Sequence, residues 1–321
     1  MRAPKTLQEA IIHFADSDNC LAYMVAHRWP EGVVCPTCGR DDVTYLASQK
    51  KWQCKSAHAK RQFTAKVGTI FEDSALGLET WLPAVWIITT AKNGVSSCEI
   101  ARSLGVTQKT AWFMLHRIRK AMQSGSMMKL GGNGSNGVEV DETFIGGKSR
   151  NMHISKRERR ITGTGGKDKT AVMGILERGG QVRTAIVPSR RKAVLHAEVR
   201  KHVEAGSALY TDALMSYRGL GSDYAHQVVD HAVEYVNGRI HTNGLENFWS
   251  LLKRGINGTY VSIEPFHLFR YLDEQSFRYN NRATKDNPLT DSDRFSAVLS
   301  QVTGKRLTYA EVTGKVGETI N

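Results

Sequence analysis

VEVDETFIGGK (138–148) alternates apolar and polar residues as a β-strand does, and it sets Asp141 beside Val138 and Val140. An acid flanked by strand valines seldom lacks a partner, so this one asks for a function. Downstream, AVMGILERGG (171–180) and QVRTAIVP (181–188) read as two further strands meeting at Arg178-Gly179-Gly180. A helix from about residue 193 to 205 precedes SALYTDA (207–213), a short apolar strand ending at Asp212. HQVVDH (226–231) is a fifth strand, and NGLENFWSLLKRGING (243–258) is an amphipathic helix. Three early strands, then helices alternating with two more strands, is the order of an RNase H-like fold: a mixed sheet flanked by helices.

The last helix resolves by angle. Leu245, Phe248, Trp249, Leu252 and Ile256 share one face at helical spacing and belong to the core. Asn243, Glu246, Ser250, Lys253 and Asn257 form a wholly polar neighbouring face. Glu246 and Lys253 therefore project together, a carboxylate for a metal and a lysine for a phosphate. Two Mg²⁺ (or Mn²⁺) ions at a phosphodiester need carboxylates from distant segments, and Asp141, Asp212 and Glu246 supply them. Glu139, Glu142, Asp168 and Asp230 are neighbouring acids that compete with this assignment.

Upstream, Cys35 and Cys38 form a C-P-x-C knuckle, followed by Cys54 and His58. That is zinc-ribbon spacing, with the VTYLA and KWQC runs as the hairpin carrying the ligands. Four protein ligands make a closed, structural Zn²⁺ site. Cys20 and Cys98 read as ordinary core residues. WLPAVWIITTAKNG (81–94) reads as a helix with Pro83 in its first turn. Ser97 caps a second helix, Gly105 turns the chain, and Thr107 caps a third. This helix-turn-helix layout would aim Gln108, Lys109 and Thr110 at base edges and Arg117, Arg119 and Lys120 at phosphates.

Lys and Arg number 44 against 31 Asp and Glu, a net +13, which points to a polyanionic partner. Through Leu130 the count is 17 minus 10, or +7, so both halves are basic. The run KSRNMHISKRERR (148–160), with Lys156, Arg157, Arg159 and Arg160, is expected to be an exposed loop touching DNA phosphates. No stretch has the length of a bilayer span and no secretory leader is evident, so a cytoplasmic, nucleoid-associated protein without a membrane partner is expected. The expected divisions are 1–75 with the ribbon, 76–123 with the helix-turn-helix, a Gly/Ser linker at 124–137, a catalytic domain at 138–282, and a tail at 283–321.

VEVDETFIGGK, LYTDALMSYRGL and HTNGLENFWSLLKRGINGTY resemble the catalytic segments of bacterial insertion-sequence transposases of the DDE type. More narrowly, they resemble the family that places a zinc ribbon and helix-turn-helix before that domain; QFTAKVGTIFEDS (62–74) and FRYLDEQSFRYNNR (269–282) fit it too. The resemblance implies Mg²⁺-dependent strand cleavage and transfer at the ends of the chain's own element. It implies element ends and target DNA as partners, a homo-oligomer pairing two ends, and no small-molecule cofactor. Carried over, Asp141 and Asp212 match the first two acids, Glu246 the third, and Lys253 the basic residue after it. Relatives are described with Asn at the third position, so Asn247 stands beside Glu246 as the alternative. A zinc/helix-turn-helix regulator, or an inactive or domesticated relative, would be the other ways to use this chain.

Overall fold

The computed structural model describes residues 3–123, 125, 127–147, 153–160, 169–229, 241–285 and 287–315. The chain forms two compact units, one from residues 1–123 with 281–321 and the other from 124–280. Among the described residues no helix is long and apolar enough to cross a membrane.

The first unit begins with α1 (Leu7–Phe14) and α2 (Ser17–Arg28), capped by Thr6 and Asp16 side chains. A three-stranded antiparallel sheet follows, β1 (Val43–Leu46), β2 (Lys51–Cys54) and β3 (Gln62–Phe63). Val43 pairs with Cys54 and Leu46 with Lys51, the hairpin expected from the alternating runs. The two-residue β3 is too short to leave a periodic signal, and it adds a strand the sequence did not suggest.

α3 (Leu78–Thr90) starts three residues earlier than expected, with Gly77 at its N-cap. Pro83 therefore sits in the second turn rather than the first, where its missing N–H costs one intrahelical hydrogen bond. α4 (Ser97–Leu104) is capped by Ser96, whose hydroxyl accepts the Glu99 N–H, and not by Ser97. Ser97 instead accepts from the Gln108 side chain at 2.8 Å. α5 (Gln108–Met122) begins at Thr107 as expected, and Gly105 turns the chain at φ 65°, a conformation that favours glycine.

The second unit holds β4 (Val138–Ile145), α6 (Ile154–Arg160), β5 (Thr170–Glu177), β6 (Val182–Val187), α7 (Lys192–His202), β7 (Ala208–Asp212), β8 (Ala225–Val229), α8 (Asn243–Gly255) and α9 (Leu268–Asn280). The sheet order is β6-β5-β4-β7-β8. β5 runs antiparallel to both β4 and β6, whereas β7 lies parallel to both β4 and β8. It is a mixed sheet with a covering on each face. Val138, Val140, Met173 and Ile175 pack with Leu195, Val199 and Tyr217 on one face. Ile145, Val172 and Leu176 pack with Leu245, Phe248, Trp249 and Leu252 of α8, and with Leu268 and Leu272 of α9, on the other.

The chain then returns to the first unit through α10 (Asp291–Leu299) and α11 (Tyr309–Val312). Phe295 of α10 packs its ring against Phe14, Tyr23 and Trp86. The segment from Asn281, which includes the tail expected at 283–321, is thus a structural part of the N-terminal unit. Its signal was a capping box, Thr290 and Asp293 exchanging side-chain and backbone hydrogen bonds.

Candidate active site and metal centres

Parallel register brings the first two acids together. β4 pairs with β7 through Val140 and Thr211, so Asp141 and Asp212 are the next step on adjacent strands. Oxygens of Asp141, Glu142 and Asp212 all lie within 4.8 Å of one another. Glu142, a competing acid by sequence, is therefore the third member of this cluster, and Glu246 lies outside it. Glu246 is exposed on α8, near enough for its charge to help raise the Asp141 pKa. Lys253 is exposed on the same helix, as the polar face required, and Asn247 is exposed too although it lies off that face.

Burial pushes Asp141 up to about 6; the Glu142 amide opposes this and the Asp212 carboxylate adds to it. Burial also pushes Glu142 up to about 7, against the hydrogen bond from Tyr217 and with the help of Asp212 and Asp141. Crowded, half-buried carboxylates of this kind are a poor resting place for negative charge and a good one for a hard cation. The all-oxygen donor set fits Mg²⁺ or Mn²⁺.

One oxygen of Asp141 is already engaged. Trp249 Nε1 of α8 donates to Oδ2 at 2.9 Å, which fixes the carboxylate's orientation. Room for that indole comes from Gly174, the register partner of Asp141 on β5. A Cβ at Gly174 would lie 2.6 Å from Trp249 Cζ2 and 2.8 Å from Leu245 Cδ2. Gly174→Ala is therefore expected to destabilise the protein by about 1–3 kcal/mol through overpacking. A denaturant titration checks this, and an unchanged midpoint would show that α8 shifts freely.

Glu139 has a different task from its neighbours. It is 1% exposed, receives Arg178 Nε at 2.8 Å, and accepts the Leu245 N–H at 3.0 Å from the first turn of α8. A buried carboxylate at a helix N-terminus meets both the unpaired amides and the positive end of the helix dipole. Glu139 thus anchors the helix that carries Trp249 and Glu246. Asp168 and Asp230 lie outside the described residues.

In the first unit Cys35, Cys38, Cys54 and His58 bring four ligand atoms within 4.8 Å. Cys38 Sγ stands 3.7 Å from Cys54 Sγ, and Cys35 Sγ 3.5 Å from His58 Nε2. A tetrahedral Zn²⁺ with bonds of about 2.3 Å to sulfur and 2.0 Å to nitrogen needs ligand separations of about 3.5–3.8 Å. The donors fit. His58 Nδ1 donates to the Ala59 carbonyl at 2.6 Å, which leaves the Nε2 lone pair facing the sulfurs. Although burial opposes it, the His58 hydrogen bond and the Ser56 amide bring Cys54 down to about 6, toward the thiolate a metal requires. Cys20 is buried, whereas Cys98 is exposed on α4 and is no core residue.

On α5, Gln108 and Lys109 are exposed and Thr110 is half-buried. The residues expected at phosphates differ. Arg117 is 4% exposed, donating from Nε to the Leu307 carbonyl at 3.0 Å and from Nη2 to the Glu72 carbonyl at 2.6 Å. Arg119 is buried as well, and Lys120 Nζ donates to the Arg306 carbonyl at 2.7 Å. Carbonyls of Arg306 and Leu307, just before α11, take up Lys120 and, together with the Glu72 carbonyl, Arg117. Arg117 and Arg119 thus serve packing, not phosphate contact. In the basic run, Arg157 lies exposed on α6, so the second half of the run is helical and not a loop; residues 148–152 and the side chains of Lys156, Arg159 and Arg160 lie outside the described residues.

The ISXO2-like transposase domain matches residues 129–280, and a transposase zinc-ribbon domain matches residues 15–59. A protein in transposable element ISH50 of Halobacterium salinarum is 30% identical over 246 residues, 72% of this chain and 80% of the relative. A transposase-like protein of Haemophilus influenzae is 32% identical over 106 residues, 33% of this chain and 85% of the relative. No solved structure matches the chain. With a relative of that identity and coverage, and with both domains present in order, the chain belongs to the family of insertion-sequence transposases that carry an ISXO2-like domain behind a zinc ribbon.

Proposed function

We propose that the chain binds the ends of its own insertion sequence and cleaves and joins DNA strands at Asp141, Asp212 and Glu246. The observation that carries this reading is the meeting of Asp141 and Asp212 from separate strands within the family-matched segment. The sheet order, with three antiparallel strands followed by two parallel ones, supports an RNase H-like catalytic domain. When bound, two Mg²⁺ or Mn²⁺ ions would supply charge stabilisation for both the attacking and leaving oxygens of a phosphodiester. The chain's own contribution is positioning. Trp249 orients Asp141, Glu139 anchors α8, and α8 presents Glu246 and, two turns on, Lys253 for a phosphate oxygen. Asn247, exposed next to Glu246, is the alternative third residue, and the two single substitutions decide between them.

The helices α4 and α5, joined at Gly105, are read as a helix-turn-helix whose second helix meets the major groove. Lys109 Nζ lies 5.0 Å from the Tyr309 ring centre, a contact worth only about 0.5–1 kcal/mol at an exposed site. Lys109→Ala is therefore expected to weaken end binding tenfold or more, the loss of a base contact of about 1–3 kcal/mol. A gel shift measures it, and unaltered affinity would remove Lys109 from the interface. The ends are paired by a second copy of the chain, which would make the working form a homo-oligomer. Incubating wild-type protein with an end-containing duplex and Mg²⁺ or Mn²⁺ tests the whole reading. Binding without any nicking would instead identify a regulator or an inactive relative.

A further inference from the structure

Glu142 follows Asp141 on β4, so strand alternation sends it to the opposite face of the sheet, the face of Val138 and Val140. Tyr217 belongs to the core on that face, is 1% exposed, and donates its hydroxyl to Glu142 Oε1. A carboxylate so held would ordinarily be counted as part of the core. Yet a Glu142 oxygen comes within 4.8 Å of oxygens from both Asp141 and Asp212. The side chain reaches them where the pairing of β4 with β7 ends, one step past Val140 and Thr211.

We propose that Glu142 is a further metal-ligating residue of the catalytic site, held in position by Tyr217. The site then draws carboxylates from both faces of its sheet, Asp141 from the α8 side and Glu142 from the α7 side. This rests on the reading of Asp141 and Asp212 as metal ligands. Three features support it. The tyrosine hydroxyl occupies one oxygen of Glu142 and leaves the other available. The geometry of the cluster includes Glu142 and leaves Glu246 outside. Two hard cations can share several carboxylate oxygens, so a further donor beside the two aspartates has a use even with Glu246 on α8. Tyr217 is a positioning residue, acting on the ion through the carboxylate it orients.

The test is Mn²⁺ binding to the full-length protein without DNA, followed by the electron paramagnetic resonance signal of free Mn²⁺. Glu142→Gln keeps an acceptor for the Tyr217 hydroxyl and removes only the charge. It is expected to weaken Mn²⁺ about tenfold or more at an unchanged melting temperature, and Tyr217→Phe about tenfold. Glu142→Asp keeps the charge with a shorter reach and should fall between wild type and Glu142→Gln; it decides the matter if the Gln variant does not fold. Wild-type affinity in these variants, with Asp141→Asn weakened, overturns the role of Glu142 alone. Wild-type affinity in Asp141→Asn as well overturns the assignment of the whole site.

Discussion

Asp141→Asn protein is expected to bind an end-containing duplex as wild type does and to leave it uncut. The substitution nearly preserves shape, and the asparagine oxygen can still accept the Trp249 N–H that Asp141 Oδ2 receives at 2.9 Å. What disappears is one negative charge where a divalent ion should sit. Metal assistance at a phosphodiester is worth several kcal/mol, and about 4 kcal/mol corresponds to roughly a thousandfold in rate. Nicking by the variant should fall at least that far, while a gel shift on the same duplex stays unchanged. Nicking at the wild-type rate would mean that Asp212 and Glu142 suffice without Asp141.

Chelation of zinc should unfold the ribbon altogether. Structural zinc contributes about 10–16 kcal/mol of apparent folding free energy in small domains. The strands here offer little to replace it. β1 and β2 have four residues each and β3 has two. Trp52, on β2 two residues before Cys54, stacks on Phe63 and meets the edge of Trp29. Its burial depends on the hairpin, so a red shift in tryptophan emission on adding a strong chelator reports the collapse. Cys54→Ser should behave as chelated protein does. His58→Cys should retain zinc, since a thiolate can replace the imidazole in a four-ligand site. Protein that contains no zinc as purified, with an unchanged spectrum in chelator, would contradict the assignment.

The parts legible in the sequence are those whose signal is local and periodic. α8 shows its buried and polar faces within two turns, and β4 shows its alternation within eight residues. The pairing of Asp141 with Asp212 was legible in outline, because strand order in a mixed sheet limits which strand ends become neighbours. Glu142 was not. Alternation assigns it to the far face, and only the end of the β4–β7 pairing lets it return. The burial of Arg117 was equally hidden, since its acceptor Leu307 is 190 positions away and is a backbone carbonyl that leaves no trace in side-chain chemistry. The cap at Ser96 rather than Ser97 turns on one residue of register, which two adjacent serines leave ambiguous.

The return of α10 to the N-terminal unit has a consequence for synthesis. Phe295 fills a space among Phe14, Tyr23 and Trp86 that the first 123 residues cannot fill for themselves. A ribosome adding about 5–20 residues per second needs roughly 10–35 seconds to travel from residue 123 to residue 299. Through that interval the first unit lacks one of its core helices, and the whole of the second unit emerges first. A message cut short anywhere before α10 would therefore yield a chain in which the segment made earliest is the one left incomplete.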